Sequence, residues 1–257
     1  MREKIDFTLD LVKRAGENIK ELMINDVVID TKSADNDFVT NVDKQTELFL
    51  VNGIKERFEN QDFLTEEKVV ATQGLDDLWI VDPIDGTTNF IFERRNFAIS
   101  IAFYHKKKPV FGIVYDVVAD ELFLGITGEG AFLNGKKLPM LDQTTQLKDS
   151  IVFGDLYSLT MFGNDIEEFR SNFVAHRYLG AASIEICGVA MNRHQVYMSK
   201  NLKVWDVAAG AIVLNEVGGT FEFDGLLDDI YYNDNDGEWF SCLNKTILKE
   251  LTELKQS

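Results

Sequence analysis

The residues of this chain that could do chemistry most directly lie in one short stretch, LWIVDPIDGTTNF at 78–90. Four apolar residues run straight into Asp82 and Asp85, and Gly86 follows. Pro83 has a fixed φ and stiffens the exit from a predicted strand that ends at Asp82. Gly86 permits dihedral angles closed to other residues and lets a ligand approach the main chain. The sequence therefore predicts a rigid loop that holds two carboxylates close together.

The residues after Gly86 favour the start of a helix, because Thr and Asn are frequent there. A helix start presents free N–H groups to an anion. Buried, unpaired carboxylates are costly, and with few His or Cys nearby they suit Mg²⁺ or Mn²⁺ rather than zinc. A metal beside an anion site points to phosphate chemistry, in which two metal ions ~3.5–4 Å apart bind the attacking and leaving oxygens. The alternative is an Asx turn with solvated aspartates.

A metal cluster needs further carboxylates, and two other segments supply candidates. FLTEEKV places Glu66 and Glu67 after a short apolar strand, where an exposed acidic pair is the alternative. KVWDVAAGAIVLNEVGG places Asp206 in the first turn of an apolar, Ala-rich helix. An acidic residue there is also favoured by the helix dipole alone.

Composition excludes several classes of function. The chain has 257 residues and a formal charge of −17, which argues against nucleic-acid binding because that needs a basic surface. No apolar run approaches the ~20 residues of a membrane span, and the charged N-terminal segment resembles no targeting peptide, so we expect a cytoplasmic protein with no membrane partner. Cys187 and Cys242 match no zinc spacing and are predicted to be buried free thiols. An anionic substrate would need bound metal ions to offset the acidic charge.

Hydrophobic periodicity predicts an opening amphipathic helix, a second helix at Val42–Phe58, and a β-rich stretch followed by alternating strands and helices. The chain is predicted to divide into an N-terminal half, 1–145, with the motifs above, and a C-terminal half, 146–257, with Asp206. The predicted strands are Asp62–Thr65, Leu78–Asp82, Phe97–Tyr104, Val110–Val118, Glu121–Ile126, Gly130–Leu133, Ser150–Gly154, His176–Gly180, Gln195–Met198, Gly219–Phe223 and Trp239–Leu243. The predicted later helices are Ile166–Phe173, Ala182–Met191, Asp206–Val217 and Thr246–Lys255.

Taken together, the motifs resemble the inositol monophosphatase family, the Mg²⁺-dependent, lithium-sensitive sugar-phosphate phosphatases. The matching segments are NDFVTNVD (36–43), TEE (65–67), WIVDPIDGTTNF (79–90), LGAAS (179–183) and WDVAAG (205–210). They occur in the family's order and cover nearly the whole chain. The resemblance implies a layered, alternating α/β sandwich of the sugar-phosphatase type, an inositol-1-monophosphatase-like activity and a homodimer.

The resemblance also implies metal ligands for two to three Mg²⁺ ions, with Mn²⁺ as an alternative. Glu66, Asp82 and the carbonyl of Ile84 would hold the first ion. Asp82 would bridge to a second ion that Asp85 and Asp206 complete. Glu67 would support a third, looser ion through water.

Further roles are implied by the same resemblance. The N–H groups of Gly86 and Thr87 would bind phosphate, and the Thr87 hydroxyl, paired with Asp43, would orient and deprotonate the attacking water. Asp85, Asp206, Ala182 and the residue at 199 would lie on the substrate side, and Lys32 near the site. His105, His176 and His194 fall outside the motifs and are expected to be structural or surface residues.

Two positions depart from the family pattern. Thr65 stands where a Gly usually precedes the glutamate pair, which would restrict the backbone there. Ser199 stands where many inositol-phosphate hydrolases carry a Glu that contacts sugar hydroxyls, and losing such an acceptor changes selectivity. Inositol 1-phosphate, fructose 1,6-bisphosphate, NADP and 3′-phosphoadenosine nucleotides therefore stay open as substrates. A non-catalytic binder of metal and sugar phosphate is a further alternative, although it would have no use for the pair of Thr87 and Asp43.

Overall fold

The computed structural model describes residues 1–24, 27–31, 38–162, 166–223 and 237–256. Its helices are α1 Arg2–Leu22, α2 Asn41–Arg57, α3 Thr87–Phe92, α4 Leu156–Leu159, α5 Ile166–Arg170, α6 Ala182–Ala190, α7 Val204–Asn215 and α8 Lys245–Gln256. Its strands are β1 Ile29–Thr31, β2 Phe38–Thr40, β3 Asp62–Thr65, β4 Asp77–Asp85, β5 Ala98–His105, β6 Lys108–Asp116, β7 Glu121–Ile126, β8 Gly130–Leu133, β9 Lys136–Lys137, β10 Ile151–Gly154, β11 Ala175–Arg177, β12 Val196–Leu202, β13 Thr220–Phe223 and β14 Gly237–Cys242.

The strands form two large sheets and one short pair, β1 with β2. The first large sheet has seven strands in sequence order from β3 to β9, and β3 runs parallel to β4 while the later neighbours are antiparallel. The second has the order β11-β10-β12-β14-β13. In it β10 is parallel to both of its neighbours, which brings the ends of β10 and β12 to the same edge.

Alternation along the strands builds two apolar layers on the seven-stranded sheet. On β5, Ile99, Ile101 and Phe103 join the core under α1 and α2, whereas Ala98 and Ala102 face the core that contains α6 and α7. The period of two along a strand causes this division. Helices α6 and α7 contact each other and lie between the two sheets, and α8 packs on the second sheet. This arrangement confirms the predicted alternating α/β sandwich.

The position of α7 depends on a close approach to the sheet at Gly112. A Cβ added there would lie 2.4 Å from the carbonyl oxygen of Ala209 in α7, closer than real Cβ contacts. Glycine therefore allows the helix backbone to rest directly on β6. Because Asp206 is in the first turn of α7, this contact also fixes where that carboxylate lies.

Most predicted elements occur where expected, and three differ with consequence for the site. Strand β12 continues past the predicted Met198 to Leu202 and therefore includes Ser199. Strand β4 does not end at Asp82 but continues to Asp85. The strand expected at His176–Gly180 is found at Ala175–Arg177, because Gly180 has a φ of +89° and the chain has left the sheet. Both cysteines are buried and free, as expected. The division into halves 1–145 and 146–257 stays a prediction.

Candidate active site

A β-bulge in β4 directs Asp82 and Asp85 to the same face of the sheet. Residues three apart in a regular strand point to opposite faces. Here Asp82 pairs with Ser100 and Asp85 pairs with Ala98, so three steps on β4 oppose two steps on β5. The extra residue realigns the strand, as bulges do beside active sites. Both aspartates therefore project toward the α7 side, where their partners Ser100 and Ala98 also face.

Glu66 and Asp206 reach this place from two other elements. Strand β3 is in parallel register with β4, and the N–H of Glu66 donates to the carbonyl of Val81 at 3.2 Å. The hydroxyl of Ser100 donates to the carbonyl of Trp205 at 3.2 Å, which attaches the start of α7 to β5. Asp206 follows Trp205 directly and so lies over the bulge.

These carboxylates line one pocket of about 220 Å³. It is smaller than the ~300–1,000 Å³ of sites for drug-sized ligands, so it suits a small molecule. The lining residues are Glu66, Asp82, Ile84, Asp85, Gly86, Thr87, Asp155, Tyr178, Gly180, Ala182, Glu185, Tyr197, Ser199, Asn201, Leu202 and Asp206. Apart from Asp43 and Glu67, the predicted metal, phosphate and substrate residues within the described part of the chain all line this pocket.

The pKa values of the aspartates reflect burial and mutual repulsion. Burial, followed by the charges of Glu66 and the other two aspartates, raises the pKa of Asp82 well above 3.8. Burial and then the charges of Asp85 and Glu66 raise the pKa of Asp206 in the same direction. Burial raises the pKa of Asp85 to about 6, against hydrogen bonds from Ser183 and Ala182 that lower it. Lys203 lowers the pKa of Asp206, but burial and the neighbouring carboxylates outweigh its charge.

A divalent cation fits this donor set. Among the residues that the structure describes, no group of three or more His, Cys, Asp or Glu side chains is already arranged as a metal site. The donors are nevertheless all hard oxygen atoms, the kind that Mg²⁺ and Mn²⁺ prefer. Binding a cation would remove the repulsion that raises the pKa values of Asp82 and Asp206.

Thr87 and Asp43 are in contact, as predicted. The Thr87 hydroxyl lies 3.2 Å from Oδ1 of Asp43 and 3.1 Å from the carbonyl oxygen of Ile84, so it can donate to either. Asp43 is held by a capping box with Thr40 at the start of α2, and its Oδ2 accepts from the Thr40 N–H at 2.9 Å. Burial raises the pKa of Asp43 to about 6, against the Thr40 hydrogen bonds.

Gly86 forms the N-cap of α3 with φ of +88°, in the left-handed region that favours glycine. A Cβ there would lie 3.0 Å from Cβ of Ala181 and 3.2 Å from the carbonyl oxygen of Gly180. The N–H groups at a helix start have no acceptor within the helix. Gly86 and Thr87 therefore present main-chain donors to the pocket, as the sequence predicts.

Asp85 also connects strand β4 to helix α6. Its Oδ1 accepts from the N–H of Ala182 at 3.1 Å, and its Oδ2 accepts from the N–H of Ser183 at 2.7 Å and from the Ser183 hydroxyl. Ala182 thus lines the pocket, and its main-chain contact with Asp85 holds it there. The LGAAS motif is the start of α6 that receives this carboxylate.

Sequence reasoning missed three carboxyl groups. Glu47 of α2 is buried, and its Oε2 and Oε1 accept from the N–H groups of Glu67 and Val69 at 2.8 and 2.9 Å. Asp155 and Glu185 line the pocket. A buried Glu in an apolar run such as ASIEICGVA is a sequence signal that would have found Glu185.

The remaining predicted positions are also located. Thr65 ends β3 in ordinary extended backbone, so the departure from Gly causes no strain. Ser199 is buried in β12 and lines the pocket. His194 is buried and stacks on Phe153, and His105 is exposed and pairs with Asp77, so both are structural or surface residues as expected. Lys32 lies outside the described residues.

Fold and pocket together define a class of protein. A layered α/β sandwich presents a carboxylate cluster beside a helix start. This combination is typical of a metal-dependent phosphatase that acts on small phosphate esters.

Comparison with known proteins agrees. The family model described as "Inositol monophosphatase family" matches residues 1–227. The inositol-1-monophosphatase of Bacillus subtilis (strain 168) is 38% identical over 218 residues, 82% of this chain and 81% of that protein. A staphylococcal IMPase-I complexed with products superposes with a TM-score of 0.88 at 26% identity, over 99% of this chain and 95% of the other. An IMPase/NADP phosphatase complexed with Mg²⁺ and phosphate gives 0.86 at 26% identity, over 98% and 95%.

The chain belongs to the inositol monophosphatase family and is a phosphoric monoester hydrolase. Members of this family are metal-dependent phosphatases of small phosphorylated substrates. None of the described helices has the length and apolar character needed to span a membrane.

Proposed function

We propose that this protein is a Mg²⁺-dependent phosphomonoesterase that hydrolyses a small sugar or polyol phosphate, such as inositol 1-phosphate, with water as the nucleophile. The observation that supports it most is the convergence of Glu66, Asp82, Asp85 and Asp206 on the helix start at Gly86. Carboxylates without a cation would repel a phosphate. With metal ions bound, the same pocket attracts it.

The residues proposed for the first two metal ions all line this pocket. Glu66, Asp82 and the carbonyl of Ile84 would hold one ion, and Asp82, Asp85 and Asp206 a second. Glu67 would support a third through water. The bound Mg²⁺ would supply a lowered pKa for water and charge stabilisation at the ester oxygens.

The chain's own groups then bind and orient. The main-chain N–H groups of Gly86 and Thr87 bind phosphate oxygens at the start of α3. The Thr87 hydroxyl donates its proton to Oδ1 of Asp43, 3.2 Å away, and so can accept a proton from the attacking water. The Thr40 N–H holds Asp43 in position through Oδ2. This relay separates a hydrolase from a protein that merely binds sugar phosphate.

A second candidate substrate class is NADP or another nucleotide or bisphosphate. Ser199 replaces the glutamate expected of many inositol-phosphate hydrolases, and one structural relative is an IMPase/NADP phosphatase. Fructose 1,6-bisphosphate and 3′-phosphoadenosine 5′-phosphate belong to the same test. A homodimer, inhibition by lithium and a cytoplasmic location are further proposals, supported by the family resemblance.

The test is phosphate release from inositol 1-phosphate, fructose 1,6-bisphosphate, NADP and 3′-phosphoadenosine 5′-phosphate, each with Mg²⁺ and with a chelator. We expect turnover in Mg²⁺ alone, fastest with inositol 1-phosphate. Asp82→Asn should abolish it, because this carboxylate would touch both metal ions. A near-normal rate for Asp82→Asn would refute the two-metal arrangement, and metal binding without turnover on any substrate would support the sugar-phosphate-binding alternative.

A further inference from the structure

One side of the pocket is built from the C-terminal part of the chain and has no role in holding metal. We call it the C-terminal wall. It consists of Asp155, Tyr178, Glu185, Tyr197 and Ser199. A phosphate ester has an alcohol part as well as a phosphate, and the carboxylate cluster with α3 accounts for the phosphate alone. The C-terminal wall is where the alcohol part has room.

Asp155 stands at the end of β10, directly beside β12. The parallel register pairs Gly154 with Met198, so the next residues, Asp155 and Ser199, lie side by side. The Ser199 hydroxyl donates to Oδ2 of Asp155 at 3.4 Å, a long hydrogen bond. The other oxygen, Oδ1, accepts from the N–H of Ser158 at 2.6 Å and so fixes the carboxylate at the start of α4. Oδ2 therefore keeps acceptor capacity, and Asp155 is part of the pocket lining.

Glu185 provides an independent indication that this wall binds a ligand. Its side chain is 1% exposed, yet its Oε2 has no hydrogen-bond partner in the described part of the chain. Its Oε1 accepts from the N–H of Leu179 at 2.8 Å. Buried polar atoms are paired in most structures, because an unpaired one costs about 1–3 kcal/mol. An unpaired carboxyl oxygen in a pocket lining is suited to a hydroxyl group of a ligand, which can donate or accept a hydrogen bond.

The two tyrosines of the wall, Tyr178 and Tyr197, lie near its carboxyl groups. Tyr178 lies close enough to Glu185 and Asp155 for their negative charges to act on its phenol. The Tyr178 ring is largely exposed and stands at the mouth of the pocket. The wall is therefore an assembly of oxygen atoms that can accept hydrogen bonds, with an aromatic face at its edge.

The charge of the pocket limits which alcohol can bind. The described lining holds six acidic residues and no Lys, Arg or His: Glu66, Asp82, Asp85, Asp155, Glu185 and Asp206. Metal ions would neutralise the cluster that holds the ester phosphate, but not Asp155. Burial raises the pKa of Glu185 to about 8, so at neutral pH this group contributes hydrogen bonds rather than charge. A second phosphate placed against this wall would meet negative charge. Hydroxyl groups would instead meet acceptors.

We propose that Asp155, with Glu185 beside it, binds hydroxyl groups of the substrate's alcohol part and selects a neutral, hydroxyl-rich alcohol over one that carries a second phosphate. This inference rests on the proposed phosphatase function. Position 199 on β12 has Ser where a glutamate is expected. In this inference Asp155, at the end of the neighbouring strand β10, supplies the missing carboxylate. Asp155 acts on substrate choice and binding, and Thr87 and the metal carboxylates act on the chemistry.

The test compares the wild type with Asp155→Asn on three substrates in Mg²⁺: inositol 1-phosphate, fructose 1,6-bisphosphate and p-nitrophenyl phosphate, whose leaving group has no second hydroxyl. Asn keeps the N-cap of α4, so the fold is preserved. We expect the ratio of kcat/KM for inositol 1-phosphate to that for p-nitrophenyl phosphate to fall about 10–100-fold, as for a lost hydrogen bond to a charged acceptor. The loss should lie mainly in KM. The ratio of kcat/KM for inositol 1-phosphate to that for fructose 1,6-bisphosphate should fall further. The substitution also removes the repulsion between the Asp155 carboxylate and the second phosphate.

A matched control is Asp116→Asn, which alters another buried aspartate that accepts from two main-chain N–H groups, those of Val118 and Ala119, outside the pocket. It should leave the substrate ratios unchanged. A second readout is the Kd of inositol 1-phosphate by calorimetry in a Thr87→Ala background, which Asp155→Asn should raise about 10–100-fold.

Three results would overturn the inference. An equal loss on all three substrates would make Asp155 a structural or catalytic residue, and unchanged ratios would show that it does not contact the alcohol. An unchanged Kd in the Thr87→Ala background would exclude a binding role directly. A wild type without Mg²⁺-dependent turnover on every substrate, p-nitrophenyl phosphate included, would refute the proposed function itself and is recognised before any variant is compared.

Discussion

The substitution Glu47→Gln should show how a residue that only supports the proposed metal site differs in effect from a residue that would bind the metal. Glu47 touches no pocket atom, but its two oxygens bind the N–H groups of Glu67 and Val69 at 2.8 and 2.9 Å. These hydrogen bonds hold the segment that follows Glu66. Gln has the same shape, yet it replaces one acceptor oxygen by an NH₂ group that would face a main-chain N–H.

The stability cost follows from two opposing contributions. Losing a hydrogen bond to a charged acceptor and leaving a buried N–H unpaired destabilises by about 2–4 kcal/mol. Burial, however, raises the pKa of Glu47 above 4.5 despite its hydrogen bonds, so the carboxylate itself is costly to bury. A neutral Gln removes that cost. We expect a net loss of about 1–3 kcal/mol in the free energy of unfolding.

The larger effect should be on metal affinity. Residues that orient a metal ligand from behind change affinity by about 10–100-fold when they are replaced. We therefore expect the Mg²⁺ concentration for half-maximal phosphate release to rise by about that factor, with little change in the rate at saturating Mg²⁺. Urea unfolding in the presence of a chelator measures the stability loss separately from metal binding.

The control for Glu47→Gln is again Asp116→Asn, whose side chain binds main-chain N–H groups in the turn after β6. It should lower stability without moving the Mg²⁺ midpoint. If Glu47→Gln lowers stability but the Mg²⁺ midpoint stays at the wild-type value, the proposed coupling between this glutamate and the metal site is wrong.

Three other predictions concern catalysis, selectivity and stability. Thr87→Ala should lower kcat by about 10²–10⁴-fold while the Mg²⁺ midpoint changes little, and an effect on metal binding alone would exclude a role in proton transfer. Ser199→Glu should shift the kcat/KM ranking toward inositol phosphates, and an unchanged ranking would mean that position 199 does not select substrate. Burial lowers the pKa of His194 from 6.5 to about 4. As the pH falls, the unfolded chain binds a proton at His194 before the folded chain does. The free energy of unfolding should therefore fall by up to ~3 kcal/mol between pH 6.5 and pH 4. If urea unfolding gives the same pH dependence for the wild type and for His194→Gln, this prediction is wrong.

The sequence predicts much of this fold because local patterns determine it. Strands β3, β7 and β8 have the predicted bounds, since alternating apolar residues end at clear turn signals such as Asn134-Gly135. The convergence of Glu66, Asp82, Asp85 and Asp206 was also predicted, from spacing and family resemblance. Their metal and catalytic roles stay predictions.

What the sequence does not predict depends on partners distant along the chain. The bulge in β4 is defined only by counting against β5, so a single strand's residues give no sign of it. Glu47 acts on residues 20 and 22 positions away. Asp155 acquires its position from the register of β10 on β12, and a lone Asp before a short helix would otherwise be assigned to capping.

Under the proposed function, the bulge would also align the part of the chain that binds phosphate with the part that binds the alcohol. Asp85 faces the pocket because of the extra residue in β4, and from there it binds the N–H groups of Ala182 and Ser183 at the start of α6. Helix α6 carries Glu185, so a single carboxylate sets the distance between the metal cluster and the C-terminal wall. A regular β4 would direct Asp85 to the opposite face, where it could serve neither. The position of one inserted residue therefore determines whether Asp85 can line the pocket and hold the start of α6 at the same time.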